Sequence, residues 1–335
     1  MKAEEDRPSA GKTSRRGAAA TSHSSFILLP SAFLLLLCSV AAFAAEPFLK
    51  PGDVIALVGG EDMVVAGELG YLELLLTRAL PEHRLKFRCL AWEGDTVFEQ
   101  RRDLNFPPLE KQLDEIGATV VICQFGQMES LGGEEKLPEF VAAYEKLIGR
   151  MSGGGKRRVV VLEPTSPEIK EGSPPAQKQI RTPEHAASWK NFSLYSKAIT
   201  NLAKKTGPPL LENIMTIPGE MTRDQIHLSD TGASFLAEDT AARLAAGGDT
   251  LALPRPLQVD DEKAFLALIR SKNRLWFDYW RVQNWAFLAG DRTSQPSSRD
   301  HRDPKVRWFP AERERFLPLI EAKEKEIWEA AAKLH

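Results

Sequence analysis

From Val54 to Ala246, short apolar segments alternate with amphipathic ones, and this alternation restricts the possible folds more than any other feature of the chain. The apolar segments are rich in β-branched residues, as expected of strands that are covered on both faces. They predict five strands, at Val54–Val58, Leu85–Leu90, Thr119–Gln124, Val159–Glu163 and Pro208–Glu212. Strands of this kind, separated by helices, favour a parallel sheet.

The amphipathic segments between these strands space their apolar residues at the helical period. They predict helices at Glu68–Leu80, Pro108–Ile116, Leu137–Met151, His185–Lys205 and Asp230–Ala246. With right-handed crossovers between parallel strands, we expect an α/β fold: a three-layer, flavodoxin-like sheet with the strand order 2-1-3-4-5. Ligands bind such sheets at the carboxyl ends of the strands.

The 335-residue chain divides into three predicted regions. Residues 1–45 combine a polar leader, the apolar run Phe26–Ala44 and the small residues of Ala42-Phe43-Ala44, which together predict a signal peptide. The protein is therefore expected to be exported to the periplasm or the extracellular space, and an uncleaved membrane anchor is the alternative. The α/β domain is predicted at 46–253, and a C-terminal extension at 254–335 begins with Pro254-Arg255-Pro256.

The C-terminal extension is helical in pattern and carries five of the seven tryptophans of the chain. Two helices are predicted, at Asp261–Leu288 and Pro310–Leu334. Because Trp276, Trp280 and their neighbours have partly helical spacing, they favour a stripe that packs the extension against the α/β core. A wall that stacks against sugar rings is the alternative interpretation.

The charge balance excludes one class of partner. The chain has 44 Lys and Arg against 46 Asp and Glu, a net charge of −2, which provides no basic surface for nucleic acid. It also contains no short metal-ligand motif, so neither a metal nor a cofactor is predicted. A small-molecule or glycan ligand is compatible with this composition, and membrane contact is expected only through an uncleaved 1–45 segment.

Asp224-Gln225-Ile226-His227 is the segment with the clearest chemical meaning. It follows the last predicted strand by about a dozen residues and leads into the last helix of the α/β region. At that position both side chains can turn toward the carboxyl end of the sheet, with Asp224 accepting a hydrogen bond from one imidazole nitrogen of His227. The alternative is a loop aspartate that caps a turn beside a surface histidine.

Three further segments follow predicted strands and complete a pattern with this pair. The first strand ends in Val58-Gly59-Gly60-Glu61, the second is followed by Trp92-Glu93-Gly94-Asp95-Thr96, and the third by Gly126-Gln127-Met128-Glu129. With Asp224-x-x-His227, they resemble the four sequence blocks of the SGNH/GDSL hydrolases. The resemblance covers about Pro51 to Ala246. More narrowly, the chain resembles secreted planctomycete and verrucomicrobial members of the family that have a Trp-rich helical tail.

The resemblance implies a role for each matching residue. Asp224 and His227 would be the acid and base of a catalytic triad, and Gly94 would supply an oxyanion-hole amide. Glu61 stands where the family has its nucleophilic serine, and Met128 stands where it has its oxyanion-hole asparagine. Since a serine esterase needs both groups, the resemblance implies an esterase of acylated carbohydrates or other small acyl esters whose activity is attenuated or absent.

Carboxylates at the ends of the predicted strands leave other functions open. Glu61, Asp95 and Glu129 follow three different strands, and Trp92 lies beside them in sequence, so these residues are candidate binding groups. Oxygen-rich clusters hydrogen-bond sugar hydroxyls or bind hard cations. The alternatives are therefore a non-catalytic glycan-binding or scaffolding protein that uses the cleft, and a metal-assisted hydrolase that uses its carboxylates.

Overall fold

Five parallel strands form the centre of the computed structural model, which describes residues 48–165, 183–211, 221–224, 227–245 and 253–334. The strands are β1 Val54–Gly59, β2 Lys86–Cys89, β3 Val120–Gln124, β4 Arg158–Leu162 and β5 Leu210–Leu211. Their order is β2-β1-β3-β4-β5, and every pairing is parallel. The predicted strand order is therefore confirmed. The predicted signal peptide, 1–45, lies outside the described residues.

Alternate residues of the strands face two separate hydrophobic cores, as the period of two in a strand requires. Ile55 and Leu57 of β1 face the side that is covered by α1 Glu61–Leu69, α2 Tyr71–Ala79 and α6 Asp230–Ala245. Ala56 and Val58 face the opposite side, which is covered by α3 Leu109–Glu115, α4 Leu137–Ser152 and α5 Pro183–Thr206. The result is the expected three-layer α/β arrangement.

The segment after β1 differs from the prediction of one helix at Glu68–Leu80, since it contains the two helices α1 and α2. Gly70 separates them in a left-handed conformation, with φ of 74°. A Cβ atom at this position would also lie 2.7 Å from the side chain of Ile269. Glycine thus permits both the break in the helix and the close approach of the C-terminal extension.

The C-terminal extension contains four helices among its described residues: α7 Val259–Trp280, α8 Trp285–Leu288, α9 Trp308–Glu314 and α10 Phe316–Lys333. Both predicted long helices are therefore interrupted, the first at Arg281 and the second at Arg315. Helices α7 and α10 share a hydrophobic cluster with α2 that includes Leu74, Ile269 and Ile327.

The extension covers β2, which is an edge strand of the sheet. The indole N–H of Trp276 donates to the carbonyl of Cys89, 2.8 Å away, and that of Trp328 donates to the carbonyl of Leu85, 3.0 Å away. Because Trp276 and Trp280 are buried in the core of the α/β layer, the predicted packing stripe is confirmed. Unpaired edge strands tend to pair with strands of other chains. Here Trp276 and Trp328 cover the edge strand β2.

Candidate functional site

The first part of the site is the junction between β1 and α1, where the chain turns within two glycines. Gly59 has φ of 153°, and a Cβ atom there would lie 2.4 Å from the carbonyl oxygen of Gln124. Only glycine fits so close to β3. The turn places Glu61 and Asp62 in the first turn of α1, where the helix dipole favours negative charge.

Glu61 and Asp62 occupy different environments although they are adjacent. Glu61 is partly exposed, and its carboxylate lies 3.5 Å from Nη2 of Arg223. Asp62 is buried. Burial raises the pKa of Asp62 from 3.8 to about 6; Thr165 lowers it, the charge of Glu61 raises it and His227 lowers it. Oδ1 of Asp62 still has no hydrogen-bond partner among the described residues.

Asp224 and His227 contact each other as the sequence predicted. Nδ1 of His227 lies 2.6 Å from Oδ2 of Asp224, and the backbone N–H of His227 donates to Oδ1 over 2.9 Å. The turn is closed by the N–H of Arg223, which donates to the His227 carbonyl, and by an antiparallel bridge between Thr222 and Leu228. The contact with Asp224 fixes the imidazole and leaves Nε2 as its second nitrogen.

Two interactions link this turn to the start of α1. Arg223, which belongs to the same turn as His227, forms the ion pair with Glu61. The charge of His227 also acts on the buried carboxyl of Asp62. The turn that carries the dyad therefore contacts the amino terminus of α1 through Arg223 and Glu61.

The loop after β2 contributes Trp92, Gly94 and Asp95. Asp95 is buried and makes a bidentate ion pair with Arg102, both contacts being 2.7 Å. Burial raises the pKa of Asp95, and the pair with Arg102 opposes this shift. Gly94 is exposed, with open space where a side chain would be. The guanidinium groups of Arg102 and Arg281 lie 4.5 and 4.0 Å from the centre of the Trp92 ring.

The loop after β3 contributes Met128 and Glu129, which point to different surroundings. Met128 is exposed, and its thioether is no hydrogen-bond donor. Glu129 is buried and accepts hydrogen bonds from the backbone N–H groups of Val97 and Gly126, each over 2.8 Å. Burial raises the pKa of Glu129, while these backbone contacts lower it. Its carboxylate thus ties the loop after β2 to the loop after β3.

A small cleft of about 20 Å³ lies between these elements. Its lining includes four of the predicted carboxylate and oxyanion-hole positions, namely Glu61, Asp95, Met128 and Glu129. It also includes Asp62, whose environment depends on Thr165, a residue distant in sequence. Gly94, Trp92, Asp224 and His227 stand outside this lining. Ligand pockets usually measure about 300 to 1,000 Å³, so the described part of the cleft accommodates a group no larger than a water molecule.

Neither a metal-binding cluster nor a membrane-spanning helix is found in the described ranges. No group of three or more His, Cys, Asp or Glu side chains there is arranged to hold a metal ion. In that part of the chain no helix combines the length and the apolar composition needed to cross a bilayer.

Solved structures with similar folds include several hydrolases. A gut microbial diltiazem-metabolizing enzyme is 14% identical, with a TM-score of 0.52 over 87% of this chain and 96% of that one. This similarity is one of fold: a parallel five-stranded sheet flanked by helices, with further helices at the C-terminal end. A lipase/acylhydrolase from Enterococcus faecalis is 16% identical, with a TM-score of 0.41 over 60% of this chain and 99% of that one. A carbohydrate acetylesterase from Sinorhizobium meliloti is 16% identical, with a TM-score of 0.39 over 58% and 99%. No protein-family model matches the sequence, and neither does any curated protein.

Proposed function

We propose that this protein is an SGNH/GDSL-type hydrolase-like protein that retains an acid–base dyad and has lost ordinary serine-esterase chemistry. The observation that carries the proposal is the ion-paired carboxylate of Glu61 at the amino terminus of α1, where a serine esterase of this fold needs a hydroxyl. The Asp224–His227 contact beside it supports descent from an esterase.

The dyad alone is a competent base. Asp224 orients His227 and stabilises the imidazolium that forms when Nε2 takes a proton. In an esterase that proton comes from the nucleophilic hydroxyl, and the hydroxyl oxygen then attacks the acyl carbon. Glu61 has no hydroxyl group, and its carboxylate already forms an ion pair with Arg223. The dyad therefore has no nucleophile to activate at position 61.

The oxyanion hole is impaired by a second substitution. A side-chain donor of this kind contributes about 2.7 to 4 kcal/mol to transition-state stabilisation, or about 10² to 10³ in rate. Met128 supplies no donor, which leaves backbone N–H groups, including that of the exposed Gly94, as the available donors. Loss of both nucleophile and donor leaves only residual ester hydrolysis.

We also propose that the ancestral substrates were acylated carbohydrates or other small acyl esters, and that the protein is exported by its 1–45 segment. The proposal of acylated substrates rests on the resemblance to the esterase family, because the described cleft of about 20 Å³ has no room for a sugar ring and Trp276, Trp280 and Trp285 are buried. The ring of Trp92 is also partly covered by guanidinium groups.

The test is hydrolysis of p-nitrophenyl acetate by the wild type and by variants that restore the missing groups. We expect the wild type to stay near background, and Glu61→Ser with Met128→Asn to raise kcat/KM by at least about tenfold. The two changes should act synergistically, because nucleophile and oxyanion hole work as a unit. Adding His227→Ala should abolish the gain.

Two further variants make the result specific. Glu68→Ser, the same change at an exposed position of α1, should leave the rate at background. Glu61→Gln should also have no effect, because the proposal gives Glu61 no catalytic task. Strong wild-type activity that Glu61→Gln removes would overturn the proposal and favour carboxylate chemistry. No gain in the double variant would contradict the assignment of positions 61 and 128.

A further inference from the structure

A second cavity, of about 290 Å³, lies between α1, the end of β2 and α7 of the C-terminal extension. Its lining shares no residue with the cleft described above. It is more than ten times larger than that cleft, and its volume is close to the lower limit of about 300 Å³ for ligand pockets. A pocket of nearly ligand size thus lies where α7 meets the α/β layer.

The wall of this cavity is apolar and aromatic. Val64 of α1 and Ala91 form one side, and Trp276, Phe277 and Trp280 of α7 form the other. The indole N–H of Trp276 is already bonded to a backbone carbonyl, so this ring presents carbon surface to the cavity. Such a wall favours a planar apolar group that is packed against the rings.

The rim of the cavity carries three guanidinium groups. Arg270, Arg274 and Arg281 line it, and Glu68 is the one carboxylate in its described lining. Each arginine also has a carboxylate partner outside this lining: Asp230 for Arg270, Asp278 for Arg274 and Glu93 for Arg281. The attraction for an anion therefore comes from the N–H donors that remain, since guanidinium matches the geometry of a carboxylate.

The three arginines already have partners that hold them in place but do not use all of their donors. Arg274 contacts Asp278 through Nε and Nη2, and Arg281 contacts Glu93 through Nη1 and Nη2. Arg270 donates its Nε–H to a backbone carbonyl. Because a guanidinium has five N–H groups, each arginine has more donors than these contacts require.

We propose that this cavity binds a small amphipathic anion, with an aromatic body against Trp276, Phe277 and Trp280 and a carboxylate at the arginine rim. The proposal is independent of the chemistry of the cleft, because it rests on a separate set of side chains. The site would be formed jointly by the α/β layer and the C-terminal extension, which gives the extension a role in ligand binding as well as in packing.

The test is calorimetric titration of the full-length protein with 2-naphthoate, and with 2-naphthamide as the uncharged analogue. We expect 2-naphthoate to bind at least about fivefold more tightly than the amide. Arg274→Gln should weaken binding of 2-naphthoate about two- to fivefold, the range expected for an exposed charge pair. Glu68→Gln should strengthen it by a similar factor, because it removes the repelling carboxylate.

Arg315→Gln is the matched control. The side chains of Arg274 and Arg315 are 65% and 73% exposed, and each forms an ion pair within its own helical segment. Arg315→Gln should leave the affinity unchanged. The proposal is overturned if 2-naphthoate fails to bind, if the amide binds equally well, or if Arg315→Gln weakens binding as much as Arg274→Gln.

Discussion

The cleft and the junction with the C-terminal extension both bury charged side chains, but they compensate them differently. At the junction, Nζ of the fully buried Lys272 in α7 lies 2.8 Å from the carboxylate of Glu73 in α2. In the cleft, Asp62 is buried with one oxygen that has no hydrogen-bond partner within the described residues. A buried charge is tolerated at low cost only when it is paired.

This difference indicates what each region contributes. The paired charges at the junction connect helices from both parts of the chain, so they contribute to a unique packing of the extension. Asp62, whose pKa is raised by burial and whose Oδ1 has no hydrogen-bond partner among the described residues, lowers stability in the cleft when it is ionised. Residues that reduce stability at a concave site are typical of functional sites, which favours a function for the cleft even without serine chemistry.

The largest expected effect comes from breaking the junction pair. Lys272→Met leaves Glu73 buried and without its partner, so we expect the free energy of unfolding to fall by about 3 to 5 kcal/mol at pH 8. Urea denaturation followed by circular dichroism measures this loss. Changing Glu73 to Leu as well should recover most of it, since an apolar pair replaces a buried ion pair at little cost. A double variant as unstable as Lys272→Met alone would show that packing of α7, and not the charge, is responsible.

The next effect concerns Asp62 and depends on pH. Its pKa is 3.8 in the unfolded chain and about 6 in the folded protein, so the folded state binds the proton more tightly. The stabilisation that protonated Asp62 provides is complete below pH 3.8 and is lost as the pH rises through 6. At one pKa unit per 1.36 kcal/mol, the loss is about 3 kcal/mol.

Asp62→Asn removes this titration. We expect the free energy of unfolding of the variant, relative to that of the wild type, to rise by about 2.5 kcal/mol between pH 4 and pH 8. Urea denaturation at the two pH values measures the difference. Asp224→Asn is the control, because it replaces an exposed carboxylate of the dyad and not a buried one. An Asp62→Asn profile parallel to that of the wild type would refute the burial of an ionisable carboxyl here.

The smallest effect is expected at a surface ion pair of the same type, Lys with Glu, which provides a direct comparison with the buried pair. Lys205 and Glu145 also lie 2.8 Å apart, but their side chains are 66% and 41% exposed. Lys205→Met should lower the free energy of unfolding by no more than about 1 kcal/mol, since water solvates the charge that remains. A loss comparable to that of Lys272→Met would mean that burial does not distinguish the two pairs.

Much of the fold could be predicted because its signals are local. The apolar runs predicted all five strands to within two residues at most ends, although β5 is only Leu210–Leu211. The helix prediction failed at Glu68–Leu80, where continuous apolar periodicity concealed the break at Gly70. Of the site, the contact between Asp224 and His227 was predictable, because residues three apart in a tight turn meet without help from the rest of the chain.

The sequence by itself determined the class of fold, the strand order, the dyad and the packing stripe of tryptophans, because hydrophobic period and short-range spacing carry that information. Only the tertiary structure decided that Asp62 is buried, that Glu129 ties two loops together, and that Lys272 pairs with Glu73. It alone also formed the arginine-rimmed cavity against α7. Each of these features depends on residues distant in sequence, whose burial and charge environment arise only when separate layers pack together.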